Sequence, residues 1–144
     1  MTTTEEQGRQ EHEAGLRDWA RGMTTLVAAT ELLIRTGFAQ PWHPWVHYDE
    51  QRQRPWIAFD EIPDLIGAKS GGEQRLLMIA ASLGGSVKIA LGEEVAGLDR
   101  QRTELVSIAL IHAAGFTEPT SDIVFEDDQP KRITVPPLAN WPQD

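Results

Sequence analysis

Three amphipathic stretches, each halted by glycine, constrain what this chain can fold into more than any other feature. Leu16, Trp19, Met23, Leu26, Val27, Leu33 and Ile34 recur at spacings near three and four and stop before Gly37. Leu76, Leu77, Ile79, Ala80 and Leu83 repeat the pattern up to Gly84 and Gly85. Leu105, Val106, Ile108, Ala109, Ile111 and His112 do the same ahead of Gly115. Such spacing gathers apolar side chains on one helix face. A glycine after the last turn takes the left-handed C-cap conformation without strain. The pattern predicts helices over roughly 14–36, from Ser70 to about Leu83, and from Asp99 to the residue before Gly115. Each has an apolar face that must be covered, so the helices pack on one another.

Strands fill the gaps. Pro41 and Pro44 break regular structure. Trp45–Asp49 and Trp56–Asp60 are then rich in aromatic and β-branched residues, which suit a pleated surface. Glu50 to Pro55 is turn-like, so the two strands form a hairpin. Alternation places Val46 and Tyr48 on one face and Trp45, His47 and Asp49 on the other. Asp60 is positioned to cap a short helix through Ile62 and Ile66, closed by Gly67. Val87 to Leu91 reads as strand or extended loop, and Glu93 to Ala96 as one helical turn. Residues 122–126 and 132–135 pair as a second hairpin. The fold class is α+β, a helix-dominated single domain with one or two β-hairpins. The globular part spans 14–135. Residues 1–13 lack apolar periodicity and are expected to be disordered. Residues 136–144 form a Pro-rich C-terminal tail in which Trp141 is the natural anchor.

Length and charge set the function classes. The 144 residues are enough for one core without disulfides or metals. There is no cysteine, so thiolate metal sites, iron–sulfur clusters and thiol nucleophiles are excluded. The cytoplasm is the expected location of a cysteine-free chain whose start is polar and acidic, unlike a signal peptide. No apolar run approaches the about 18 residues a membrane span requires. A net charge of −9 repels phosphate backbones and argues against nucleic acid as a partner.

Ser70-Gly71-Gly72-Glu73 is a capping-box sequence: the serine oxygen accepts from the third residue's N–H and the glutamate reaches back. The same residues, with Gln74 and Arg75, also resemble the signature motif of ABC ATPases. The likeness continues through Val87–Leu91 into Gly92-Glu93-Glu94-Val95-Ala96-Gly97-Leu98-Asp99, which resembles the end of a Walker B strand followed by a D-loop. It implies a catalytic-glutamate position at Glu93 and a weak phosphate-binding site at Ser70, Gly71, Gly72 and Glu73. The departures are large. Gly92 stands at the magnesium-binding aspartate position, and no G-x-x-x-x-G-K-[ST] loop exists. Gly67-Ala68-Lys69-Ser70 is the nearest approach to one. The stretch is also similar to small actinobacterial proteins that combine an aspartate- and tryptophan-rich hairpin with an SGGEQR-like helix start and a GLD-capped helix. That resemblance implies a fold and carries no activity.

Trp42, His43, Trp45, His47, Tyr48 and Trp56 lie within fifteen residues, with Arg52 and Arg54 at the expected hairpin tip. Tryptophan and arginine are the side chains that anchor interfaces, so Trp42, Trp45, His47, Trp56, Arg52 and Arg54 are the candidate partner-binding residues. The competing readings are an aromatic core and a metal bound by His43, His47 and Asp49, which lacks an evident fourth ligand. No metal or other cofactor is assigned. Arg100 and Arg102 open the last helix and are weak DNA-binding candidates in a helix-turn-helix reading. No catalytic constellation is present: no serine lies in a nucleophile elbow, and pairs such as Glu93–Glu94 diverge on a helix. The expectation is a non-enzymatic protein-binding or regulatory accessory module of a bacterium or phage. The alternatives are a DNA-binding regulator and a degenerate phosphate- or nucleotide-responsive protein.

Overall fold

A computed structural model describes residues 3–67 and 69–143. Among them are six α-helices, one 3-10 turn and two separate antiparallel hairpins. Helix α1 runs Thr4–Ala20 and α2 runs Thr24–Thr36. Strands β1 (Val46–Asp49) and β2 (Arg54–Ile57) follow. The 3-10 turn Phe59–Glu61 and the short α3 (Ile62–Leu65) lead to α4 (Gly71–Gly84). Then come α5 (Leu91–Val95), α6 (Arg100–Ala114), β3 (Thr120–Glu126) and β4 (Gln129–Val135). The helix-dominated α+β reading therefore holds.

The first helical stretch differs from its sequence reading. One helix over 14–36 becomes two, because Gly22 takes a positive φ of 103° and turns the chain between them. Helix α1 also starts far ahead of residue 14. Thr3 and Glu6 form a capping box that satisfies its first N–H groups. The expected disorder of residues 1–13 is thus not seen from Thr3 onward, while Met1 and Thr2 lie outside the described residues. The cause is a helix whose outer face is polar, so it shows no apolar period of its own before Leu16.

Helix α2 is the centre of the fold. Ala28, Ala29, Leu32, Leu33 and Ile34 are buried, and α1, α4 and α6 pack around it. Glycine permits two close approaches in this fold. A methyl group on Gly84 would sit 2.8 Å from both Ala29 Cβ and the Phe59 ring, so α4 ends tight against α2. One on Gly15 would sit 2.8 Å from Pro55, which sets α1 on β2. Asp60 is not the cap of α3. Its carboxylate accepts from the Ser86 N–H at 2.6 Å and ties the 3-10 turn to the end of α4.

The tail joins the core. Trp141 is buried, and its indole N–H donates to His112 Nδ1 of α6 at 2.9 Å. The Arg35 guanidinium lies 5.3 Å over the indole ring and donates to the Pro142 carbonyl at 2.8 Å. Arg35 also shares Glu31 with Arg17, at 2.9 Å each, so one buried carboxylate links α1, α2 and the tail. Asp144 lies outside the described residues. No helix among those described is long and apolar enough to cross a membrane.

Candidate functional site

The aromatic cluster divides into a buried half and an exposed half. Trp45 is fully buried, and its indole N–H donates to the Phe38 carbonyl at 2.7 Å. It belongs to the core, which corrects its assignment to a partner surface. The reason is position: Trp45 precedes β1 in a turn that folds back over the end of α2. His43 stacks on it with ring centroids 5.2 Å apart and an interplanar angle of 14°. Trp42 lies 5.8 Å from His43 on the outside of this ladder. Its own side is open, with 76 % of its surface exposed.

His43 fixes the turn. Its Nδ1 accepts from the Gln40 N–H at 3.1 Å, and its backbone N–H donates to the Gln40 carbonyl at 3.0 Å. Burial penalises the imidazolium and holds the His43 pKa below its ordinary value of 6.5, against the Gln40 carbonyl, 3.3 Å from Nδ1, which would favour the charged form; nearby Lys69 pushes the same way as burial. The neutral ring is therefore the folded form, and its contribution to stability is full above pH 6.5 and declines as pH falls toward the folded value. An NMR titration of the His43 ring protons is expected to give a midpoint below 6.5. A midpoint at or above it contradicts the buried, neutral ladder.

The first hairpin forms, but its second strand is Arg54–Ile57 rather than Trp56–Asp60, because Phe59 and Asp60 leave the ladder for the 3-10 turn; the pairs are Val46 with Ile57, His47 with Trp56, Tyr48 with Pro55 and Asp49 with Arg54. His47 and Trp56 stack across the strands at 4.9 Å. Both are half-buried, and His47 Nε2 stands 3.3 Å from a Glu61 carboxylate oxygen without the alignment of a hydrogen bond. Arg54 lies 3.8 Å from Asp18 of α1 and close to Trp19, so it points along the body of the protein rather than out from the tip. Arg52 remains exposed in a tip ordered by Asp49, whose carboxylate accepts from the Gln51 and Arg52 N–H groups. Of the six candidates, the structure leaves Trp42 and Arg52 open, half-covers His47, Arg54 and Trp56, and buries Trp45. His43 packs between Trp42 and Trp45, while His47 stacks on Trp56. Among the described residues no three His, Asp or Glu side chains converge as metal ligands.

A cleft of about 780 Å³ opens beside Trp42, between the first turns of α1 and the chain after α2. Glu5, Glu6, Arg9, His12, Gln40 and Pro41 line it with Trp42. His12, which the sequence placed in a disordered terminus, bonds through Nε2 to the Ala39 carbonyl at 2.7 Å. That bond holds α1 against the aromatic turn. Sequence reasoning missed the cleft because its two walls lie far apart in the chain, and the only local signal was the Pro41-Trp42-His43-Pro44 break.

At the signature-like stretch the capping box is formed. Ser70 Oγ accepts from the Glu73 N–H at 3.3 Å, and Glu73 accepts from the Ser70 N–H at 3.1 Å. These backbone and side-chain bonds from Ser70 hold the Glu73 carboxyl below its ordinary value. Val87–Ala90 is neither helix nor strand. The two resembling segments do meet. Arg75 donates to the Glu93 carbonyl at 2.6 Å and packs on Gly97, while Arg102 lies against Gly72. Ala68 lies outside the described residues. Arg102 is also bonded to the capping Asp99 at 3.0 Å and so is turned back along its own helix. Arg100 is exposed, and the helix ahead of it, α5, has only five residues. No family model matches this chain, and no curated protein or solved structure matches it either.

Proposed function

We propose that this protein is a non-enzymatic binding module that docks a partner protein through the surface around Trp42. The observation that supports it is an indole left 76 % exposed and tilted against the outside of the His43–Trp45 stack, whose inner member, Trp45, is core. Pro41 and Pro44 flank it, and the turn is pinned by Gln40 and His43. An aromatic side chain held in advance loses little freedom on binding, which is what distinguishes an anchor from a merely exposed residue. Glu5 and Glu6 line the adjoining cleft in a chain of net charge −9. The partner is therefore a protein segment with an apolar pocket for the indole and lysine or arginine beside it.

Trp42 bears on binding and not on folding, so the two separate cleanly. Trp42→Ala is expected to keep the wild-type unfolding midpoint and to weaken the complex by about 2 kcal/mol, the scale of an interface anchor. The partner would be captured from the source cell with wild-type protein, purified, and titrated against both forms by calorimetry. Equal affinity for the two forms removes Trp42 as the anchor and the proposal with it.

A further inference from the structure

The second hairpin carries a feature independent of the Trp42 surface. Strands β3 and β4 pair from Thr120–Val135 to Glu126–Gln129 and pack chiefly on each other. Two strands alone are marginal in water, and these expose Ile123 at 56 % and Phe125 at 73 % on one face. Asp127 and Asp128 both have positive φ, 53° and 62°, as a two-residue type I′ turn requires. In such a hairpin the Glu126–Gln129 pair exchanges hydrogen bonds, and every second pair along the ladder does the same. Ser121, Ile123 and Phe125 then turn their backbone groups outward along the free edge of β3. The Ile123 N–H fits this: it finds no strand partner and donates instead to its neighbour's carboxylate, Asp122 Oδ1, at 2.8 Å.

The two edges are unlike. On β4 the outward positions include Pro130, which has no donor, and the strand carries Lys131 and Arg132. Proline and cations are the usual protection of an edge. The β3 edge has neither. We propose that it pairs with the β3 edge of a second copy of this chain, antiparallel about Ile123, to give a four-stranded sheet.

Charge selects that register over the two-fold alternatives on either side of it. Centring on residue 122 sets Asp122 against itself. Centring on residue 124 sets Asp122 against Glu126 of the second copy. Like charges directly opposite are destabilising. Centring on Ile123 sets Asp122 against Val124 and Glu126 against Thr120, so each acid directly faces a neutral residue and meets the acids of the second copy only on the diagonal. The outward-turned groups of Ser121, Ile123 and Phe125 then meet those of Phe125, Ile123 and Ser121. On the exposed face the two isoleucines lie side by side with a phenylalanine diagonal to each, which covers the apolar stripe that one copy leaves in water.

The chain has no cysteine, so one introduced thiol reports the register directly. Ile123→Cys places two thiols across the axis, where paired residues stand about 5.5 Å apart and a disulfide is within reach. Oxidation is expected to give a covalent dimer, while Thr134→Cys, on the outer edge of β4, stays monomeric. Ile123→Pro blocks the edge without removing a hairpin bond, since Ile123 does not bond to its partner Arg132. Sedimentation is expected to show self-association of the wild-type chain, weakened by about tenfold or more in Ile123→Pro. A wild-type chain that stays monomeric at high concentration overturns the proposal. So does association that survives Ile123→Pro, or cross-linking at 134 as ready as at 123.

Discussion

Trp45→Ala is expected to cost about 3–5 kcal/mol, the range for removing a large aromatic side chain from a core. A domain of this size has only about 5–15 kcal/mol to lose. The indole is fully buried, so its removal opens a cavity between the end of α2 and β1. It also leaves the Phe38 carbonyl without its donor and His43 without the ring on which it stacks. Urea unfolding followed by circular dichroism measures the loss. Trp42→Ala, two rungs further out, is the internal control and should leave the midpoint in place. Near-native stability of Trp45→Ala would mean that the turn from Phe38 to Trp45 is not part of the core, and the preorganisation of Trp42 would go with it.

The second large effect belongs to Glu31. Breaking a buried charge pair by removing one partner typically costs about 3–5 kcal/mol, because the remaining charge is left uncompensated. Arg17 and Arg35 retain some contact with water, so Glu31→Gln is expected nearer about 3 kcal/mol than 5. Burial alone would raise the Glu31 pKa, but hydrogen bonds from Arg17 and Arg35 more than offset it and hold the carboxyl below its ordinary value of 4.5. The folded state thus binds this proton less readily than the unfolded chain does. The contribution of Glu31 is fully present above pH 4.5 and is lost as pH falls through the lower folded value. The stability gap between wild type and Glu31→Gln should therefore narrow in acid. A gap of constant size from neutral pH down through that range would show that the charge of Glu31 is not what holds α1, α2 and the tail together.

Much of the architecture was legible. Gly37 and Gly115 close α2 and α6 in the left-handed conformation, and both expected hairpins exist, although the second strand of the first is Arg54–Ile57 rather than Trp56–Asp60 and the second turns within Asp127 and Asp128, which lengthens its strands to 120–126 and 129–135. Ser70 and Glu73 form the box their spacing announces. What was not legible shares one cause. The Gly22 turn interrupts no apolar period, so two helices read as one. The start of α1 rests on Thr3 and Glu6, whose spacing is the same local box as Ser70 and Glu73 but stands ahead of no apolar run, and on packing against residues near Ala39, which a local pattern does not record. The candidate site failed in the same way. Six residues qualify by type, yet whether an indole is core or surface is set by how the turn at Pro41 to Pro44 lies on α2. Trp42 and Trp45 are three residues apart and end on opposite sides of that boundary.

The clasp of Trp141 has a kinetic meaning. The bond from Arg35 to the Pro142 carbonyl joins residues 107 apart in the chain. Contacts of such long span form slowly relative to local helices, since the chain between them must be ordered before the contact repays the cost. The slot between Arg35 of α2 and His112 of α6 exists only once those two helices have packed on each other. Closure of the last tryptophan over that slot is then a late event in refolding, and a chain cut ahead of Trp141 would assemble its helices but never complete the seal.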